Sequence, residues 1–231
     1  MTMTITFTGP DSAFLTTALA NLATASLENQ SATGFELLSE DGTLRTVFEG
    51  AGLDLTGGIA GLGGTITGGR FEQDGAVVAE VAGIDWPAGD FIGAVLGYLL
   101  GQLDALDPLF ALQDIAFDAG AAISGFSMEE FGFSFATPIT ATGSGFADDL
   151  YGGSEGDRVT SGGGRDSLDG LAGGDTLKGG GGADEIAGGG GRDRLLGNGG
   201  ADTLEGGGGN DRIKAGAGKD VAAGGKGAAR I

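Results

Sequence analysis

The chain has 231 residues and a net charge of −20, with 32 acidic against 12 basic side chains and neither cysteine nor histidine. That length admits one or two domains, and the missing thiols and imidazoles exclude disulfides, the common zinc centres and any mechanism that needs a histidine base. Residues 1–142 hold 18 of the acids and only two bases, Arg45 and Arg70, so this part repels nucleic acid and anionic membranes and neither is expected as a partner.

In chain order, the opening MTMTITFTGPDS lacks both the basic n-region and the apolar stretch of a general secretory signal peptide. Residues 4–8 read as a strand. Pro10 and Asp11 then punctuate and cap a helix over 12–27, with Leu15, Leu19 and Leu22 on one face. Two hairpins follow, 35–39 into 43–49 through Asp41-Gly42 and 65–72 into 76–84 through Asp74-Gly75. Between them, 50–64 is glycine-rich without any aspartate register. A second helix over 90–104 presents Phe91, Val95, Leu99 and Leu103 to a core. Gln102, Asp104 and the shortness of the apolar run argue against a membrane-spanning segment. Residues 108–123 are ambiguous, and 131–135 read as a strand. Together these elements make 1–142 a small, acidic α+β domain with no assigned role.

At Gly143 the composition changes. Aspartate recurs at every ninth position, as Asp148, Asp157, Asp166, Asp175, Asp184, Asp193, Asp202, Asp211 and Asp220. Two residues after each stand Leu150, Val159, Leu168, Leu177, Ile186, Leu195, Leu204, Ile213 and Ala222, and glycines fill the run before it. The unit is GGxGxDxUx, clearest in GGGGADEIA, GGGGRDRLL and GGGGNDRIK. Residues 143–231 thereby resemble the calcium-binding nonapeptide repeats of secreted RTX (hemolysin-type) proteins. The resemblance implies a parallel β-roll, the RTX solenoid, with calcium as its cofactor. It also implies export through a type I secretion channel and an extracellular or cell-surface location, folding outside the cell. The expected fold class is mainly β, a C-terminal parallel β-roll preceded by the small α+β domain.

Elementary physics supports calcium independently. Roughly a third of 143–231 is glycine, each ordered at an entropy cost of about 0.5–1 kcal/mol relative to alanine, and one aliphatic residue in nine is a thin core. Such a segment does not fold unaided. Nine residues are too few for a closed coil, so two repeats make one and equivalent residues stack every 18 positions. Stacked strands lie about 4.8 Å apart, where neighbouring carboxylates repel by about 1 kcal/mol in water and more where water is reduced. A cation between them reverses the sign. Calcium is hard, takes six to eight oxygens and tolerates irregular geometry, so carboxylates can share it with backbone carbonyls. The glycines expected to supply those carbonyls are Gly162, Gly164, Gly180, Gly182, Gly189, Gly191, Gly207 and Gly209, because glycine adopts the positive φ that turns a carbonyl inward.

The 18-residue spacing gives two rows. One comprises Asp148, Asp166, Asp184, Asp202 and Asp220, the other Asp157, Asp175, Asp193 and Asp211. Ions between successive members number about seven. Phe146 and Glu155 replace glycine in the first turns, and Ala217 and Val221 mark a weakened ninth repeat, so sites at Asp148 and Asp220 are the least regular. Ala229 takes the next aspartate position, and 224–231 reads as a terminal cap with Ile231 in the aliphatic register.

Residues flanking each buried aliphatic point outward. Odd repeats present Asp149, Tyr151, Ser167, Asp169, Glu185, Ala187, Thr203 and Glu205; even repeats present Arg158, Thr160, Thr176, Lys178, Arg194, Leu196, Arg212 and Lys214. Alternate strands going to opposite sheets, the roll gains one acidic and one basic face, with ordinary solubility as the simplest reason. A docking role for the basic face would take acidic partners, namely the N-terminal domain, another copy in self-association, or an anionic surface polysaccharide. Gly152-Gly153-Ser154-Glu155-Gly156 satisfies the nucleophile-elbow pattern, but no histidine exists to serve it. The expected function is therefore a secreted, non-enzymatic calcium-binding protein with a structural, adhesive or assembly role. The alternatives are a carbohydrate-active enzyme using N-terminal carboxylates, and a subunit of a calcium-dependent particle or layer.

Overall fold

A computed structural model describes residues 2–7, 26–31, 34–38, 44–54, 63–88, 114–119 and 137–231. In the first part these form strands β1 (Thr2–Phe7), β2 (Ser26–Ser31), β3 (Gly34–Leu38), β4 (Leu44–Asp54), β5 (Gly63–Gln73), β6 (Ala76–Pro87) and β7 (Asp114–Asp118). The two expected hairpins are present as β3–β4 and β5–β6. Asp74 and Gly75 both take positive φ, 52° and 81°, the pair of angles that lets a two-residue turn match the twist of its strands. Buried Phe35, Leu37, Phe48, Ile66 and Phe71 line one face, with the Phe35 and Phe48 rings 4.9 Å apart. Arg45 pairs with Glu36 at 2.5 Å and Glu72 at 2.8 Å, and Arg70 with Glu72 at 2.8 Å.

The helix expected over 12–27 does not extend to its end. Ser26 and Leu27 begin β2, opposite Leu38 and Leu37 of β3, because pairing with the hairpin edge outweighs local helical preference. The rest of that helix, the helix over 90–104, the turn at Asp41-Gly42 and the strand over 131–135 lie outside the described residues. Within 108–123, β7 is a strand, parallel to β1. No helix among the described residues is long and apolar enough to cross a membrane.

The composition break at Gly143 is not a break in hydrogen bonding. Strand β8 (Ile139–Thr142) pairs in parallel with β7 on one side and with β10 (Arg158–Gly163) on the other. Its register sets Ala141 opposite Val159, so the coil geometry already holds at Ile139, ahead of the first aspartate. β10 continues in 18-residue steps to β13 (Thr176–Gly181), β16 (Arg194–Gly199) and β19 (Arg212–Ala217). These complete a 12-stranded sheet running from β19 to β2.

The opposite wall is a five-stranded sheet of β9 (Asp149–Tyr151), β11 (Ser167–Asp169), β14 (Glu185–Ala187), β17 (Thr203–Glu205) and β20 (Val221–Ala223), again in 18-residue register. A third ladder, β12 (Ala172–Gly173), β15 (Gly190–Gly191) and β18 (Gly208–Gly209), stitches one set of turns. Odd and even repeats thus occupy opposite walls of a parallel β-roll. Leu150, Leu168, Ile186 and Leu204 face Val159, Leu177, Leu195 and Ile213 between them, all buried. At the far end Arg230 bridges Arg212, but Ile231 is 69% exposed and closes no core.

With so few apolar side chains, each counts heavily. Leu177→Ala, at a fully buried interior position, is expected to lower calcium-loaded stability by about 2–5 kcal/mol in denaturant unfolding, against a marginal effect for Val221→Ala at the exposed end.

Candidate metal centre

Each aspartate leaves a glycine turn and enters a strand, so ladders fix it on both sides. The carbonyls of Asp148, Asp157, Asp166 and Asp175 accept from Ser167, Thr176, Glu185 and Arg194 N–H, each at 2.8 Å. The N–H of each aspartate from Asp148 to Asp202 in turn donates to Oδ1 of the aspartate one coil later. These bonds join Asp148, Asp166, Asp184, Asp202 and Asp220 into one file at 3.0–3.1 Å. They join Asp157, Asp175, Asp193 and Asp211 into the other at 2.8–3.1 Å. All but the half-buried Asp220 are at most 2% exposed.

The other carboxylate oxygen is left alone. Oδ2 of Asp166, Asp175, Asp184, Asp193, Asp202 and Asp211 is buried and accepts no hydrogen bond. An unpaired buried carboxylate oxygen costs several kcal/mol, so six in two files demand a counter-charge or a proton. Burial pushes Asp175 up to about 7 despite the bond from Asp157 N–H, with the charges of Asp157 and Asp193 adding to the rise. Burial likewise pushes Asp166 up to about 6, opposed by the Asp148 N–H. Asp157, Asp184 and Asp193 are raised for the same first reason.

The surroundings of Oδ2 suit a cation. A β-carbon on Gly170 would fall 2.5 Å from Asp175 Oδ2 and 2.7 Å from the Gly188 carbonyl oxygen. On Gly188 it would fall 2.7 Å from both Asp193 Oδ2 and the Gly206 carbonyl, and on Gly206 2.5 Å from Asp211 Oδ2 and 2.8 Å from the Gly224 carbonyl. An unpaired carboxylate oxygen and a carbonyl oxygen thus lie on the same side of each of these glycines, two oxygen acceptors of the kind calcium takes. Among the described residues no three carboxylates converge, so such an ion would need backbone carbonyls or water to complete its shell. That donor set is hard and oxygen-only, which fits calcium.

The eight expected glycines all have positive φ, from 85° at Gly189 to 140° at Gly191. Their carbonyls stack: side chains on Gly180, Gly182, Gly207 and Gly209 would overlap the carbonyl oxygens of Gly162, Gly164, Gly189 and Gly191. The Gly189 and Gly207 carbonyls also accept ladder bonds from Gly208 and Lys226 N–H, leaving one lone pair each. Leu171 and Asn198 hold the same turn position as Gly180 and adopt φ of 63° and 74°, so the backbone imposes the angle even without glycine.

The first coil differs. Asp148 Oδ2 accepts from Ser144 N–H at 2.7 Å and Oδ1 from the Ser144 hydroxyl at 2.8 Å. Asp157 accepts from Gly153 N–H at 2.6 Å and Ile139 N–H at 2.8 Å. Both oxygens of these two carboxylates accept hydrogen bonds from the protein. Sequence reasoning missed the first glycine of each repeat, Gly170, Gly179, Gly188, Gly197 and Gly206, against which Oδ2 packs. Its signal was present as near-invariance five residues before each aspartate, broken by Ser161 and Ala215. Buried Ser161 places a β-carbon beside Asp166 and donates its hydroxyl to the Gly179 carbonyl.

Residues 142–231 match the RTX calcium-binding nonapeptide repeat in four overlapping copies, at 142–177, 160–195, 169–204 and 196–231. No curated protein and no solved structure matches the chain. The C-terminal segment is therefore an RTX β-roll, a class of repeat that binds calcium.

A carboxyl group with a raised folded value binds its proton more tightly folded than unfolded. In chelator, its contribution is complete below the ordinary 3.8 and is lost as pH rises through about 6 at Asp166 and about 7 at Asp175. Metal-free protein is thus expected to lose roll stability between about pH 4 and about pH 7, and calcium to reverse that slope, as measured by thermal melts followed by circular dichroism.

Proposed function

We propose that this is a secreted, non-enzymatic calcium-binding protein whose β-roll folds on meeting extracellular calcium and serves attachment, matrix or assembly outside the cell. The observation that carries the reading is the file of buried aspartate Oδ2 atoms without partners. Asp175, Asp184, Asp193, Asp202 and Asp211 combine such an oxygen with a glycine five residues earlier, and these five are the proposed calcium ligands. Bound calcium would satisfy the interior carboxylate oxygens, as the Ser144 and Gly153 N–H donors do at the first coil.

Extracellular-type sites have dissociation constants of about 0.1–1 mM, so at about 1 mM calcium each contributes about 0.4–1.4 kcal/mol and five about 2–7. That is the scale of a domain's whole stability, and it vanishes at submicromolar cytosolic calcium. A chain kept unfolded inside and folded outside suits export through a type I channel. The absence of histidine and cysteine supports a non-enzymatic role.

Titrating calcium into the full chain is expected to add β signal in far-ultraviolet circular dichroism, reversibly with chelator. Asp184→Asn with Asp193→Asn is expected to shift the midpoint to at least tenfold higher calcium, and a spectrum indifferent to calcium would refute the reading.

A further inference from the structure

Resting on that reading, we infer that the folded roll stacks on further copies of itself, the basic sheet of one molecule against the acidic sheet of the next. The charged positions of the two walls follow one pattern. On the five-stranded sheet Asp149, Asp169, Glu185 and Glu205 alternate, coil by coil, between the two outward columns that flank the buried aliphatic. On the other wall Arg158, Lys178 and Arg194 alternate in the same way, each nine residues after its acidic counterpart, and the last coil carries a base in both columns, Arg212 and Lys214. All are exposed except half-buried Asp169, whose Oδ1 accepts from Leu171 N–H at 2.9 Å. Among the described residues no salt bridge involves any of them.

The chain crosses the two walls of a flattened coil in opposite directions. When one roll is laid on another by translation, the first outward column of the basic sheet therefore faces the second column of the acidic sheet. Arg158 then meets Asp169, Lys178 meets Glu185 and Arg194 meets Glu205, each about half a coil, or roughly 2.4 Å, apart along the axis. No charge among these six meets its like. An anionic polysaccharide would use the basic wall alone and gives no reason for the matching acidic pattern opposite. A second copy uses both.

A translational contact leaves one basic and one acidic wall free at the ends, so it propagates rather than closing as a dimer. Five strands about 4.8 Å apart offer a face of only a few hundred Å², below the roughly 800 Å² per partner of stable complexes. Each contact is therefore weak and strongly screened by salt, with a Debye length of about 8 Å at physiological ionic strength. Since the pattern exists only on the folded roll, stacking requires calcium.

The test is sedimentation velocity of the full chain in about 1 mM calcium, at about 50 mM and about 500 mM salt. One variant carries Arg158→Glu, Lys178→Glu and Arg194→Glu; the other carries Asp169→Lys, Glu185→Lys and Glu205→Lys. Wild type is expected to sediment faster with rising concentration at low salt only. Each variant alone is expected to lose this, and an equal mixture of the two to regain it. Circular dichroism run alongside separates the possible failures. A wild type that folds with calcium yet stays monomeric, or variants that assemble as it does, overturns the stacking and leaves calcium-driven folding intact. Assembly that appears only on adding alginate assigns the basic wall to polysaccharide instead. No calcium-induced β signal overturns the underlying reading and the stacking with it.

Discussion

A carboxylate oxygen buried without a donor is the constraint around which the C-terminal half is arranged. Six occur in two files, one coil apart, and the backbone makes no effort to satisfy them, because each aspartate N–H is committed to the neighbouring Oδ1. The glycines follow from this. At five of the six, glycine at position one lets Oδ2 sit against the backbone, and positions two and four turn carbonyls along the axis at positive φ. A chain that places acceptors opposite acceptors folds against its own electrostatics until a cation joins them. The single aliphatic residue per half-coil then only has to fill a narrow interior.

The N-terminal sheet changes how such a roll can start. In repeat proteins each unit is stabilised by its neighbour, and the first has none. Here β8 is paired to β7 before any aspartate is reached, and Ile139 N–H already binds Asp157 Oδ1. Ser144 and Gly153 close the carboxylates of the first coil without metal. The first coil is thus paired to β7 and closed by hydrogen bonds, and the interior coils that follow carry the carboxylate oxygens without partners.

The periodic half was legible because its rule is local: nine-residue spacing fixes parity, wall and register, and the strand pairing from Arg158 to Arg212 follows it. What stayed hidden depends on contacts outside that period. Nothing around Ile139 repeats, so its place in the roll is decided by β7. Ser144 looks like a lapse from the consensus but donates to both oxygens of Asp148. Leu171 and Asn198 show that stacking, not residue type, dictates the turn. In the first half, Asp74-Gly75 announced a hairpin through its backbone preference, whereas the strand at Leu27 depends on a partner, Leu37, that propensity cannot see.

Calcium, by reaching the buried carboxylates, is proposed to hold the interior coils together. Hydrogen exchange resolved by residue tests it most directly, because the N–H groups of Asp184, Asp193 and Asp202 sit within the aspartate files. The account predicts slow exchange at these amides in calcium and rapid exchange in chelator, while Val47 and Arg70, paired in the N-terminal sheet, stay protected in both. Equal protection of the aspartate amides with and without calcium would contradict it.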